Sequence, residues 1–176
     1  VTEQLAFTGR VKRTRVSKSA GGMTEGLVWV EAYLPLDVEA LAAFVAKAQE
    51  LGGPELAAEA DPELASKALE PIDAHGEAML PEAVIALAHG YLTDCRKVDV
   101  MHDGVARTEV DVVESFVNGP EVESPHFYPG AWVSVLKIDP ASQLFADVDA
   151  GKLDAVSFQA WVSKVPVTVN LAALSA

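Results

Sequence analysis

The change of hydrophobic period along the chain is its tightest constraint on fold. Up to Leu34 the apolar residues come in short β-branched and aromatic runs. From Asp37 to about Leu69, and again from Pro81 to Leu92, they recur every three or four residues. From Val98 onward the short runs return. A period of two sets side chains on alternate faces of a strand, whereas a period near 3.6 sets them on one stripe of a helix. The pattern therefore predicts a β-rich α+β protein, mainly an antiparallel sheet or barrel, with helices inserted into it.

Individual elements follow from local chemistry. Phe7 to Lys18 reads as a strand, and Leu27 to Leu34 as its hairpin partner across a Gly-rich turn. Asp37 is placed to cap a helix over Val38–Leu51, with Leu41, Phe44, Val45 and Ala48 on one stripe, and Gly52-Gly53-Pro54 to stop it. Asp61-Pro62 starts a short helix to about Leu69, so 37–70 reads as a helical insertion within a single domain spanning 1–176. Pro81 opens another helix, with Val84, Leu87, Ala88 and Tyr91 as its buried stripe and His89 off it. Strands are expected at Val98–His102, Val110–Val117, Ala131–Ile138, Leu153–Val162 and Pro166–Asn170, with a short helix near Ala141–Val148.

Length and charge remove several function classes. At 176 residues, half of them hydrophobic, the chain can bury a substantial core. No apolar run reaches the roughly 18 residues that a membrane span needs. Val1–Leu5 lacks the charged n-region and apolar h-region of a signal peptide, so none is expected. The single cysteine, Cys95, excludes an internal disulfide and suits a reducing cytoplasm. A net charge of −13 argues against nucleic-acid binding. The charge is uneven, however. Arg10, Lys12, Arg13, Arg15 and Lys18 oppose only Glu3 at the start of the chain, either as the solvated face of a strand or as a docking strip for an acidic partner.

Two polar residues stand in apolar strands, His102 and Ser157. A neutral imidazole can take the proton of a serine hydroxyl and so activate a weak nucleophile. A core histidine and a core serine, each satisfied by backbone, would read the same way. Strict alternation puts Glu114 on one face with Val110, Val112 and Phe116, and Asp111 on the other. A carboxylate among apolar neighbours needs a partner, and an imidazole N–H would serve. A solvated edge is the competing reading. His75, His89, His102 and His126 show no metal-binding spacing, and no Gly-rich phosphate loop is present, so no metal or cofactor is expected. No Gly-x-Ser-x-Gly elbow is present either, which disfavours an α/β-hydrolase.

Several segments taken in order resemble the phage prohead proteases, the capsid-maturation serine proteases. They are Gly26–Val30, Asp73–Met79 before the Ala88-His89 helix, Val98–Gly104, Asp111–Phe116, Gly130–Val133 and Gly151–Phe158. The resemblance covers roughly 25–165 apart from the helical insertion. It implies a β-barrel flanked by helices, related to the herpesvirus assemblin fold, with His102 as base and Ser157 as nucleophile. Assemblins use a second histidine as third member, for which His126 or His75 would stand here. Glu114 is preferred for its strand face, with Asp111 as a further alternative. Two departures are visible. Helices at 37–70 replace a short loop, and Gln159-Ala160-Trp161 replaces a small Gly-rich stretch after the serine, which bears on the oxyanion donors.

The resemblance further implies a serine endopeptidase that acts inside the procapsid in the host cytoplasm. Its substrates would be phage scaffold and major capsid protein, and its own tail, with homo-oligomerisation open and neither nucleic acid nor membrane as partner. The alternative is a non-catalytic capsid or scaffold-associated protein of the same fold. In that case 37–70 would be the interaction element and the basic strand the dock.

Overall fold

The computed structural model describes residues 2–18, 24–72, 77–96, 98–99, 107–119 and 124–163; at 2–8, 94–95, 99, 157 and 159–163 it describes the backbone alone. The strands are β1 (Thr2–Lys18), β2 (Thr24–Tyr33), β3 (Val98–Asp99), β4 (Val110–Val117), β5 (Trp132–Ile138) and β6 (Ala155–Ser163). The helices are α1 (Val38–Leu51), α2 (Pro54–Ala60), α3 (Pro62–Leu69), α4 (Pro81–Gly90) and α5 (Gln143–Asp149), and a π turn over Tyr91–Cys95 extends α4. The class is α+β, as the change of period predicts. The strand expected at Pro166–Asn170 lies outside the described residues.

The six strands form one sheet in the order β3-β6-β1-β2-β5-β4, every pairing antiparallel. Among the described residues it is an open half-barrel, with β3 and β4 as its edges, and not the full β-barrel that the resemblance implies. Contacts divide the chain into two compact units. One runs over Val1–Tyr33 and Glu82–Ser163, and the other holds Leu34–Pro81.

In the sheet unit, register decides which side chains share a face. Val28 lies opposite Leu136, Val30 opposite Ser134, and Gly9 opposite Val156. With Trp132, Ile138 and Phe158 these positions make the core face, and all are buried. Tyr91 of the π turn packs edge-on to Trp132 and Phe158, with ring centroids 5.1 and 5.5 Å away. Burying each such side chain contributes about 1.5–3 kcal/mol. The Trp132 indole N–H donates to Ser115 Oγ at 2.8 Å, so its polar edge is satisfied. Ser134 Oγ, wholly buried nearby, has no hydrogen-bond partner among the described residues. Val84, Ala88 and Tyr91 are buried and His89 is exposed, matching the expected stripe.

Among the described residues three register slips break the alternation. One lies in β2 between Glu31 and Tyr33, where Ala32 is the extra residue. In β1 the register slips between Val11 and Arg13, so Lys12 is the extra residue. In β4 it slips between Val112 and Glu114, so Val113 is the extra residue. Each slip exchanges the faces of everything beyond it.

The second unit is built by its caps. The Asp37 carboxylate accepts the Ala40 N–H at 2.8 Å and starts α1, and Gly52 ends it at φ 88°, a left-handed conformation that glycine adopts without strain. Pro54 then opens α2, a helix the sequence reading leaves out because it takes Gly-Gly-Pro only as a stop. Proline at the first helical position loses no bond, since its missing N–H would have no intrahelical partner there. Asp61 ends α2 and caps α3 by accepting the Leu64 N–H at 3.1 Å, while Lys47 of α1 donates to it at 2.9 Å. The three helices close on a small core of Ala40, Phe44, Ala57, Ala65 and Ala68.

Candidate functional site

Ser157 lies in β6 between two partners. It pairs with Thr8 of β1 on one side and with Asp99 of β3 on the other. Its neighbours Val156 and Phe158 are buried, so alternation puts position 157 on the sheet face opposite the core. The backbone at 157 and 158 is paired on both sides, which commits its N–H groups to the sheet. His102 and His75 lie outside the described residues.

Glu114 is described, and it stands elsewhere. It pairs with Val135 in β4, the far edge of the sheet from β3, with β1, β2 and β5 between it and β6. Four strand steps at about 4.8 Å each separate the two strands by roughly 19 Å across the sheet. The structure does not bring Glu114 beside Ser157. The bulge at Val113 also overturns the reason for choosing it: Glu114 shares no face with Val110 and Val112 and is exposed. Asp111 is exposed on the same edge strand, opposite Lys137.

What Glu114 does join is a groove of about 510 Å³ on the face opposite the core. Arg13, Trp29, Phe116, His126 and Phe127 line it with Glu114. Register explains the assembly. Arg13, Trp29, Val135 and Glu114 form one row across β1, β2, β5 and β4, and Phe116 is in the next row, opposite Val133. The Arg13 guanidinium lies over the Trp29 ring, 4.9 Å from its centroid. His126, one of the sequence candidates, is exposed in this groove and not beside β6.

A loop after β4 forms one wall, and its shape is fixed from inside. Asn118, 2 % exposed, donates its side-chain amide to the carbonyls of Ser124, Phe127 and Tyr128 and accepts the Ser124 N–H at 2.7 Å. Two amide protons serve three acceptors, so one is shared. Glu31, 4 % exposed, accepts the Tyr128 N–H at 2.6 Å and pairs with Lys12 at 2.8 Å. Lys12 is the bulged residue of β1, so the slip brings a cation to a buried carboxylate that would otherwise be costly. Phe127 meets Phe116 edge-on at 6.2 Å. Neither Asn118 nor Glu31 belongs to a recognisable motif in the sequence.

Among the described residues no cluster of three or more His, Cys, Asp or Glu side chains could hold a metal, and no helix is long and apolar enough to cross a membrane.

Comparison with known proteins gives this arrangement a context. The chain is 32% identical over 87 residues to the phage-like element PBSX protein XkdF of Bacillus subtilis strain 168, covering 48% of this chain and 30% of that protein. It is 32% identical over 91 residues to the uncharacterized protein YqbD of the same strain, covering 49% of this chain and 26% of that protein. The chain thus spans less than a third of the length of these curated relatives. No solved structure matches it. Residues 67–165, more than half of the chain and the whole span from α4 through β6, match the family described as "Putative phage serine protease XkdF", and the chain belongs to that family.

Proposed function

We propose that this chain is a serine endopeptidase of phage assembly, with Ser157 as nucleophile and His102 as its base. One observation carries the reading. β3 pairs with β6 so that Asp99 stands opposite Ser157, and His102 follows three residues later. Three residues of chain reach at most about 11 Å, so chain length alone allows the histidine to reach the serine's strand. His102 takes the hydroxyl proton as Ser157 Oγ attacks the scissile carbonyl carbon. It then gives that proton to the leaving amine, and water releases the acyl group from Ser157.

The sheet constrains the rest of the machinery. Because the 157–158 backbone is spent in the ladder, the oxyanion donors are groups other than the N–H of these two residues. The third member is not Glu114, which is too far across the sheet to orient an imidazole near β6. Among the alternatives, His75 keeps the role of candidate, while His126 and Asp111 belong to the β4 side. Kinship with the assemblin fold, the scaffold and major capsid protein as substrates, self-trimming, action inside the procapsid and the single protease domain form part of the same reading.

The test is co-expression with the cognate capsid proteins. Wild type converts them to shorter products, and Ser157→Ala abolishes the conversion while the protein stays folded. Unchanged processing by Ser157→Ala overturns the assignment.

A further inference from the structure

The groove around Arg13 and Trp29 is not absorbed by the proposed chemistry. It has a cation at one end and a carboxylate at the other. Neither Arg13 nor Glu114 has an ion-pair partner among the described residues, and Arg15, two residues along β1, has none either. Arg13 and Glu114 are three strand steps apart, about 14 Å, or some four residues of extended peptide. The aromatic side chains of Trp29, Phe116 and Phe127 line the same groove. Stacking on Trp29 holds the guanidinium while leaving its edge N–H donors free for a carboxylate. The wall is held by Asn118 and Glu31, so little ordering remains to be paid for on binding.

We infer that this groove is a docking site for an extended peptide segment carrying an acidic side chain at the Arg13 end, an apolar side chain over the aromatics, and a basic side chain at the Glu114 end. The location adds a second statement, which rests on Ser157 being the nucleophile. Position 157 and Arg13 share the face opposite the core. Thr8 pairs with Ser157, and Arg13 lies five residues further along β1 with Lys12 bulged out. That leaves about four strand positions, roughly 13 Å. A substrate running along β1 thus enters the groove about four residues from its scissile bond, so the groove selects sequence away from the cleavage point.

The experiment selects a randomised displayed-peptide library on the Ser157→Ala protein, so that binding is read without cleavage. Enriched sequences pair an acidic and a basic residue across an apolar one. The leading peptide, labelled and followed by fluorescence anisotropy, loses about tenfold or more in affinity against Arg13→Gln or Trp29→Ala. Arg13 is exposed and Trp29 partly so, and an unchanged thermal melt shows that the variants are folded. Reversal at one end gives the sharper arm: selection on Arg13→Glu replaces the acidic residue of the motif by a basic one. No enrichment over the Arg13→Gln protein, an unchanged motif after reversal, or preferential binding of a single-stranded oligonucleotide overturns the proposal. Activity lost in Ser157→Ala but unchanged by Arg13→Gln, with peptide binding intact, leaves the nucleophile standing and removes only the coupling of groove to cleavage.

Discussion

Gly9 sits where β1 crosses the core face, and a side chain there has nowhere to go. A Cβ at this position would stand 2.7 Å from the Ala32 Cα, 2.8 Å from Val30 Cγ1 and 2.9 Å from Phe158 Cε2. One of these is backbone and cannot swing aside. Gly9→Ala is therefore expected to destabilise the protein by about 1–3 kcal/mol, measured as a lower denaturation midpoint with unchanged slope. The same residue-level accounting explains Glu114. Period-two reading puts it on the core face, and one bulged valine puts it on the other. The stretch beyond the slip, Glu114-Ser115-Phe116-Val117, does not alternate, so the sequence offers no second phase to announce it. The slip at Lys12 is better marked, since the basic residues break step there. What the bulge brings, Glu31 against Lys12, depends on a strand the local sequence does not contain.

At the scale of elements, the helices were the more legible part. Asp37, Gly52, Asp61 and Pro81 act within one turn of themselves, so their meaning survives without knowledge of the rest. α2 escaped because proline after glycines both ends one helix and starts the next. Strand order was not legible, because pairing β1 with β6 is a choice between distant segments. Asp61 also makes the helical unit sensitive to acid. The hydrogen bond from Lys47, then that from the Leu64 N–H, lowers its pKa below the ordinary 3.8. Its stabilisation is complete above that ordinary value and is lost as pH falls through the lowered one. Helical signal is expected to fall below about pH 4 in the wild type. In Asp61→Asn this component of the acid transition is absent, and far-ultraviolet circular dichroism during acid titration reads the difference.

For the molecule as a whole, two units imply uneven stability. The helical unit closes on five small-core residues, of which Phe44 alone is large. Phe44→Ala is expected to remove about 3–5 kcal/mol of local stability. Hydrogen exchange then accelerates through α1–α3 while the amides of β2 and β5 stay protected; uniform acceleration would show instead that the units unfold together. The sheet carries a consequence for biogenesis. β1 is an inner strand whose two neighbours are made at very different times. β2 follows it at once, but Thr8 waits for Ser157, about 150 residues later, which at ribosomal rates of about 5–20 residues per second takes roughly 7–30 s. For that interval the nascent chain displays an unmated strand edge to whatever else is in reach. High contact order makes the last pairing slow even for the complete chain. The strand that bears the proposed nucleophile is thus among the last to be seated, so the active centre would be assembled only once nearly all of the sheet has been made.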